Sequence, residues 1–225
     1  MRRLLLILDA AGATERTIVV ITADHGEQIG DRGVVLEHST PWDAVLHVPL
    51  IVAWPGHFPN GHVVDQRVQL VDLVPTLLSL AALAPAEGLD GRDLSELLRG
   101  GTLPDAPAYS QPTKSLAVRY RGDEKLILNP LRLHFGIDDE KVVVKPQEFY
   151  ELATDPKEQH DLSDLEPGRV GLAKEALIAE MRRLDKAGEG LRSSSLGQAA
   201  LTTMKQAGYL HQMPTPQATA ARDSR

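Results

Sequence analysis

Residues 17–22 (TIVVIT) are β-branched without a break, the composition of a strand buried on both faces of a parallel sheet. Residues 48–54 (VPLIVAW) form a second apolar run, closed by Pro55 and Gly56, and predict another buried strand. Elsewhere the period is helical. Residues 1–12 place Leu4, Leu5, Leu8 and Ala11 on one stripe, as a helix packed on a sheet would. Residues 69–83 place Leu70, Leu73, Val74, Leu77, Leu78 and Ala81 on one face, with Asp72 as its cap. Residues 91–100 predict one short helix ended by glycine. Thr40, Pro41 and Asp43 supply an N-cap, a first-turn proline and a reciprocal acidic cap, so a further short helix is expected to start at Pro41.

Around residues 100–112 Gly, Pro and Asp accumulate and the periodicity lapses, which marks a boundary. Beyond it, residues 116–121 and 124–129 flank Gly122 and Asp123 as the arms of a hairpin. Residues 141–144 and 149–152 add two strand candidates to a small antiparallel sheet. Residues 169–187 carry Ala173, Leu177, Met181 and Leu184 on the stripe of an amphipathic helix that packs on that sheet. After Gly188 the chain turns to Ser, Gln, Thr and Pro, the composition of a mobile tail, with one short helix near residues 196–207.

Candidate chemistry sits at the end of the first strand. In open α/β sheets ligands collect outside the carboxyl ends of the strands, where Asp24, His25 and Glu27 fall. A carboxylate beside an imidazole can hold a divalent cation, although a turn cap followed by an ordinary polar loop residue has the same two-residue signature. His38 lies just outside the helix expected at Pro41, where outward-pointing amides welcome an anion. Five of the eight histidines (His25, His38, His47, His57 and His62) fall within residues 25–62, a clustering that favours a site. His47 near a helix end suits the helix dipole, and His57 and His62 flank the turn Pro59-Asn60-Gly61, so structural roles are expected for those three.

The series TIVVITADHGE, EHSTPWD and HVPLIVAWPG resembles the second half of a sulfatase catalytic domain, in the alkaline-phosphatase superfamily. Val71 to Leu78 followed by Asp90 to Leu94, and later EFYELATDPKEQHDL, continue that resemblance in the right order to about Leu162. The resemblance implies an α/β fold: a partial sulfatase-like sheet with flanking helices, followed by a small antiparallel sheet packed by a C-terminal helix. It implies that Asp24 is a metal ligand, that His25 stands at the neighbouring metal-site position, and that His38 contacts the sulfate oxygens or assists the leaving group. A sulfate ester needs a cation to polarise its non-bridging oxygens and a proton donor for the departing alkoxide, and His38 has the acidity for the second task.

Members of the family use a cysteine or serine in a C/S-x-P-x-R segment, matured to formylglycine. This chain has no cysteine, and its S-x-P segments at Ser39 and Ser110 lack the arginine and follow the DHG turn, so both are decoys. The opening strand with its paired aspartates is missing as well. The resemblance therefore implies a carboxy-terminal portion that begins mid-domain: residues 1–105 as the second half of the α/β domain, 106–187 as a C-terminal subdomain, and 188–225 as the tail. Formylglycine is expected only in the missing N-terminal part. The chain alone is expected to be inactive, which leaves three readings open: a sulfatase portion, a phosphodiesterase or phosphonate monoester hydrolase portion, and a non-catalytic pseudoenzyme or complementing half.

The family generally holds calcium, an ion that prefers oxygen ligands, and calcium is expected if His25 faces the sulfate; an imidazole ligand suits manganese, the runner-up. The expected partner is a sulfate-ester small molecule or glycan. A net charge of −7 disfavours nucleic acid. Residues 70–83, the best membrane-span candidate, are interrupted by Asp72, Pro75 and Ser79 and are shorter than the roughly 18 apolar residues a span requires. Met1-Arg2-Arg3 before LLLIL imitates a secretory signal, but Asp9 ends the run short of the roughly 7 to 15 residues of a signal core. Chains without thiols suit oxidising and reducing compartments alike. Unpaired strand edges of a truncated sheet lead us to expect self-association.

Overall fold

The computed structural model describes residues 1–30, 32, 35–38, 40–111, 116–119, 122–129, 134, 135, 142, 143 and 145–193. The helix expected near residues 196–207 lies outside them, as do Ser39 and residues 112–114 of the two S-x-P segments. Two compact units are present, Met1–Leu177 and Ile178–Arg225. The described part of the second is the end of helix α5 (Pro167–Ser193), where Arg183 pairs with Glu180 one turn earlier and Leu184 is exposed rather than packed.

The first unit begins with α1 (Arg2–Ala10), whose apolar stripe forms as expected but is largely uncovered among the described residues: Leu4, Leu5, Leu6 and Ile7 are all exposed, Leu8 is partly covered and no residue of the helix is buried. Strand β1 (Val19–Thr22) is shorter than its β-branched run and, among the described residues, pairs only with β4 (Leu50–Ala53), antiparallel, Val19 opposite Ala53 and Thr22 opposite Leu50. The expected parallel sheet buried on both faces is therefore corrected to an antiparallel pair with partly exposed faces. β-branched composition reports a strand fit for burial, while actual burial depends on the layers that cover it.

Hairpin β2 (Gln28–Ile29) and β3 (Val35–Glu37) follows the turn at Gly26, Gln28 opposite Glu37. Helix α2 spans Asp43–Leu46 and not a segment from Pro41: Trp42 is its N-cap, and no side chain of its own caps it. Thr40, the expected cap, is fully buried with a hydroxyl that has no partner among the described residues. The carboxylate that receives the Asp43 amide comes from Glu158, 115 residues on, a pairing no local pattern encodes.

Asp72 behaves as expected. A 3-10 turn (Leu70–Asp72) leads into α3 (Leu73–Leu80), and Gln69 with Asp72 forms a capping box in which the Gln69 amide donates to Asp72 Oδ2 at 2.9 Å. Its other oxygen accepts the Arg92 amide at 2.7 Å, which is why the carboxylate is buried. Gly91 allows this approach, since a Cβ there would lie 2.1 Å from the Val71 carbonyl oxygen. The buried face of α3 runs through Thr76 and Leu80, while Val74 of the expected stripe is exposed. Thr76 explains the shift: its hydroxyl donates to the Asp72 carbonyl and accepts the Leu94 amide. The helix expected over residues 91–100 shrinks to α4 (Ser95–Leu98), because the preceding residues are held on Asp72 and Thr76.

A four-stranded antiparallel sheet follows in the order β10-β7-β6-β5, from β5 (Ala108–Ser110), β6 (Leu116–Arg119), β7 (Glu124–Leu128) and β10 (Gln147–Glu151). The β6–β7 hairpin turns where expected; β5, only three residues long, was not foreseen. Short strands β8 (His134–Phe135) and β9 (Val142–Val143) pair with each other. Side chains alternate across a strand, so β7 and β10 present two different faces. Leu126 lies opposite Phe149, and both join Val170, Ala173 and Leu177 of α5 in the core. Lys125 lies opposite Tyr150 on the other face, toward α2, with Glu148 beside it. The sheet is thus a middle layer between α5 and the segment that carries the candidate site.

Candidate functional site

Two local devices bring the candidate residues together. The turn after β1 sets Asp24 beside His25: the His25 amide donates to Asp24 Oδ1 at 3.0 Å, and His25 Nε2 stands 3.8 Å from Asp24 Oδ2. The β2–β3 pairing then returns the chain, so that Glu27 and His38 flank the Gln28–Glu37 pair from the same side. His38 Nδ1 lies 3.9 Å from Glu27 Oε2, and its ring stacks on that of His25, centroids 4.8 Å apart and planes 17° from parallel. Asp24, His25, His38 and Glu27 therefore form one continuous row, of which Asp24 is the most exposed member at 89 %.

The tautomer of His25 follows from its neighbours. Nδ1 lies 2.8 Å from the Gly26 carbonyl oxygen, which can only accept, so Nδ1 carries a proton and Nε2 is the ring nitrogen turned toward the Asp24 carboxylate. A backbone carbonyl orienting a ligating imidazole in this way is the usual support for a metal-bound histidine. Two donors bound to one ion at about 2.0 to 2.6 Å stand roughly 3 to 4 Å apart, and the observed separation fits. The pair is nonetheless only part of a ligand set: among the described residues no group of three His, Cys, Asp or Glu converges to hold a metal.

Asp24 and His25 border a cavity of about 340 Å³ whose wall also includes Asp43, His47, Tyr109 and Lys125. Gly26 closes the turn against α2, its amide donating to the Val45 carbonyl at 2.7 Å; a Cβ there would come within 2.2 Å of the Ala44 carbonyl oxygen. The other three clustered histidines take structural positions. His47 ends α2 with its amide on the Asp43 carbonyl, His57 stacks on Trp54 at 3.7 Å, and His62 reaches the Leu97 carbonyl. Asp155, in the DPxE segment, accepts the amides of Gln159 and His160 as a turn residue; burial pushes its carboxyl pKa up, and the bonds from Gln159 and His160 outweigh burial and hold it below its ordinary value.

A second group around the site was missed in the sequence. Lys125, buried, places Nζ 2.6 Å from Asp43 Oδ1 and 2.7 Å from Glu158 Oε1. Burial lifts the Glu158 carboxyl above its ordinary range, against the pull of Lys125. Glu148 accepts from Trp42 Nε1 at 3.1 Å and from the Tyr150 hydroxyl at 2.7 Å, and burial with that neighbouring charge pushes the Tyr150 phenol up. The Arg32 guanidinium covers the Trp42 ring at 4.2 Å and lies 3.8 Å from Glu148. The available signal was charge placed inside strand patterns, Lys125 in EKLIL and Glu148 in QEFYE.

A sequence profile of the family described as Sulfatase matches residues 1–83. The chain is 30 % identical over 162 residues to an ulvan-active sulfatase of Formosa agariphila, a match covering 71 % of this chain and 31 % of that protein. It is 38 % identical over 112 residues to mouse steryl-sulfatase, covering 44 % and 18 %. Among solved structures, the phosphonate monoester hydrolase of Agrobacterium radiobacter superposes with a TM-score of 0.62 at 26 % identity, over 80 % of this chain and 38 % of that one. The chain thus spans well under half the length of each of these three proteins.

Proposed function

The chain belongs to the sulfatase family, and from that premise we propose that it carries one half of a sulfate-ester hydrolase site, in which Asp24 and His25 hold a divalent cation and His38 meets the sulfate. The observation that carries this is the geometry of His25, with Nδ1–H tied to Gly26, Nε2 turned to Asp24 and the ring stacked on His38. An imidazole nitrogen 3.8 Å from a carboxylate oxygen suits manganese if both bind the ion, and calcium, which favours oxygen throughout, if His25 faces the sulfate instead. When bound, the cation polarises the non-bridging oxygens of the ester. Asp24 supplies negative charge at the open rim of the cavity, His25 orients the pair, and His38 is placed to donate a proton to a departing alkoxide or to hold a sulfate oxygen. The substrate class is a sulfate-ester small molecule or glycan.

The similarity to a phosphonate monoester hydrolase supports a second reading in which the ester is a phosphorus one. Without cysteine or a C/S-x-P-x-R segment, this chain by itself is expected to turn over no aryl sulfate, so a non-catalytic or complementing half is the third reading. Aryl sulfate hydrolysis by the purified chain that vanished in Asp24→Ala would contradict the expected inactivity. The site itself is tested by titrating sulfate and, separately, phosphate in the presence of diamagnetic Ca²⁺ while following the histidine rings by NMR. Sulfate should move the His38 and His25 signals ahead of those of His57 and His62. Equal movement of all four rings would remove the assignment, and a response to phosphate alone would favour the phosphorus reading.

A further inference from the structure

We propose that Glu158 and Lys125 are positioning residues for this site, holding the start of α2 so that its end can hold the DHG turn in place; the inference rests on the site assignment above. Helix α2 has four residues, far too few to be stable alone. Its N-cap, Trp42, offers no side-chain acceptor, and the Asp43 amide is instead received by Glu158 Oε2 at 2.7 Å. Lys125 then ties the two carboxylates together, 2.6 Å from Asp43 Oδ1 and 2.7 Å from Glu158 Oε1. At the other end of the helix, the Val45 carbonyl accepts the Gly26 amide at 2.7 Å, next to His25.

Force therefore has a short path from the sheet to the site: Lys125 and Glu158, Asp43, one helical turn, Val45, Gly26, His25. Lys125 is not a candidate for contact with a sulfate, because its ammonium is already shared by two carboxylates and is almost wholly buried. Glu148 braces the same helix from a second side through the Trp42 indole, and Arg32 lies over that indole. The spacing of 82 and 115 residues between Asp43 and its two partners makes this a tertiary device, not a local cap.

The test uses the full ¹⁵N-labelled chain and compares amide hydrogen exchange in Glu158→Ala, Glu158→Gln and the double variant Lys125→Met with Glu158→Gln. Glu158→Ala should speed exchange at the His47 and Gly26 amides roughly five- to tenfold, the scale of a lost helix cap. It should also shift the His25 and His38 ring signals while leaving the β7 and β10 amides protected. Glu158→Gln, which keeps an oxygen for the Asp43 amide, should recover most of that protection. Should Glu158→Ala fail to fold, the double variant, which removes both buried charges together and leaves the side-chain amide at position 158 untied by the ammonium, reads the same amides and should show a smaller loss confined to them. Asp24→Ala should leave α2 protection intact while abolishing any Mn²⁺ response, so a failed cation site and a failed positioning device give different results. Unchanged exchange at His47 and Gly26, or equal loss across α2, β7 and β10, would overturn the proposal.

Discussion

At the scale of single residues, the site depends on one position that tolerates no side chain. Gly26 sits under α2 with its amide on the Val45 carbonyl, and a methyl group there would overlap the Ala44 carbonyl oxygen. Gly26→Ala should therefore destabilise the chain by about 1–3 kcal/mol, the usual cost of forcing atoms into packed space, and should displace the His25 ring. Urea unfolding with the ring signals followed in parallel checks both, and an unchanged midpoint would mean that the turn and α2 are not in contact. Residue-level features held by near neighbours were legible from the sequence. Asp72, expected as a cap, receives the Gln69 amide three positions away. Thr40 was misread because its local capping pattern competes with a carboxylate that arrives from Glu158.

At the scale of elements, the sheet β10-β7-β6-β5 works as a plate with two differently composed faces. Leu126 and Phe149 bury against α5, and truncating either to alanine should cost about 2–5 kcal/mol. The loop that leads from β10 to α5 is held on the strand by hydrogen bonds to one carboxylate. Asp161 accepts the amides of Phe149 and Ser163 and the Lys145 ammonium at 2.6 Å. Burial raises its carboxyl, and the bonds from Lys145, Ser163 and Phe149 outweigh burial and lower it below the ordinary 3.8. A depressed carboxyl contributes stability that is present above its unfolded pKa and is lost as pH falls through the folded one. Stability should thus decline below about pH 4 in the parent chain and less steeply in Asp161→Asn, as measured by denaturation at a series of pH values; identical slopes would refute the assignment. The hairpin and α5 were legible because period and turn chemistry are local. The burial of β1 was not, since composition states what a strand can tolerate and not what covers it.

At the scale of the whole molecule, apolar surface is left open. Leu4, Leu5, Leu6 and Ile7 on α1 and Ile51 on β4 are exposed, and β1 and β4 pair only with each other among the described residues. Such surface favours association. Sedimentation should show concentration-dependent self-association that Leu4→Glu with Ile7→Glu reduces; a monomer at every concentration would show that the face is tolerated bare. No helix among the described residues is long and apolar enough to cross a membrane.

In the proposed site Asp24 and His25 present their donors to one cation with His38 alongside. Paramagnetic broadening of the histidine ring signals by Mn²⁺ tests it most directly, in the parent chain and in Asp24→Ala. His25 should broaden first and His38 next, ahead of His57, His62 and His160, with the selectivity lost in Asp24→Ala. Broadening that spares His25, or that survives the loss of the Asp24 carboxylate unchanged, would contradict the account.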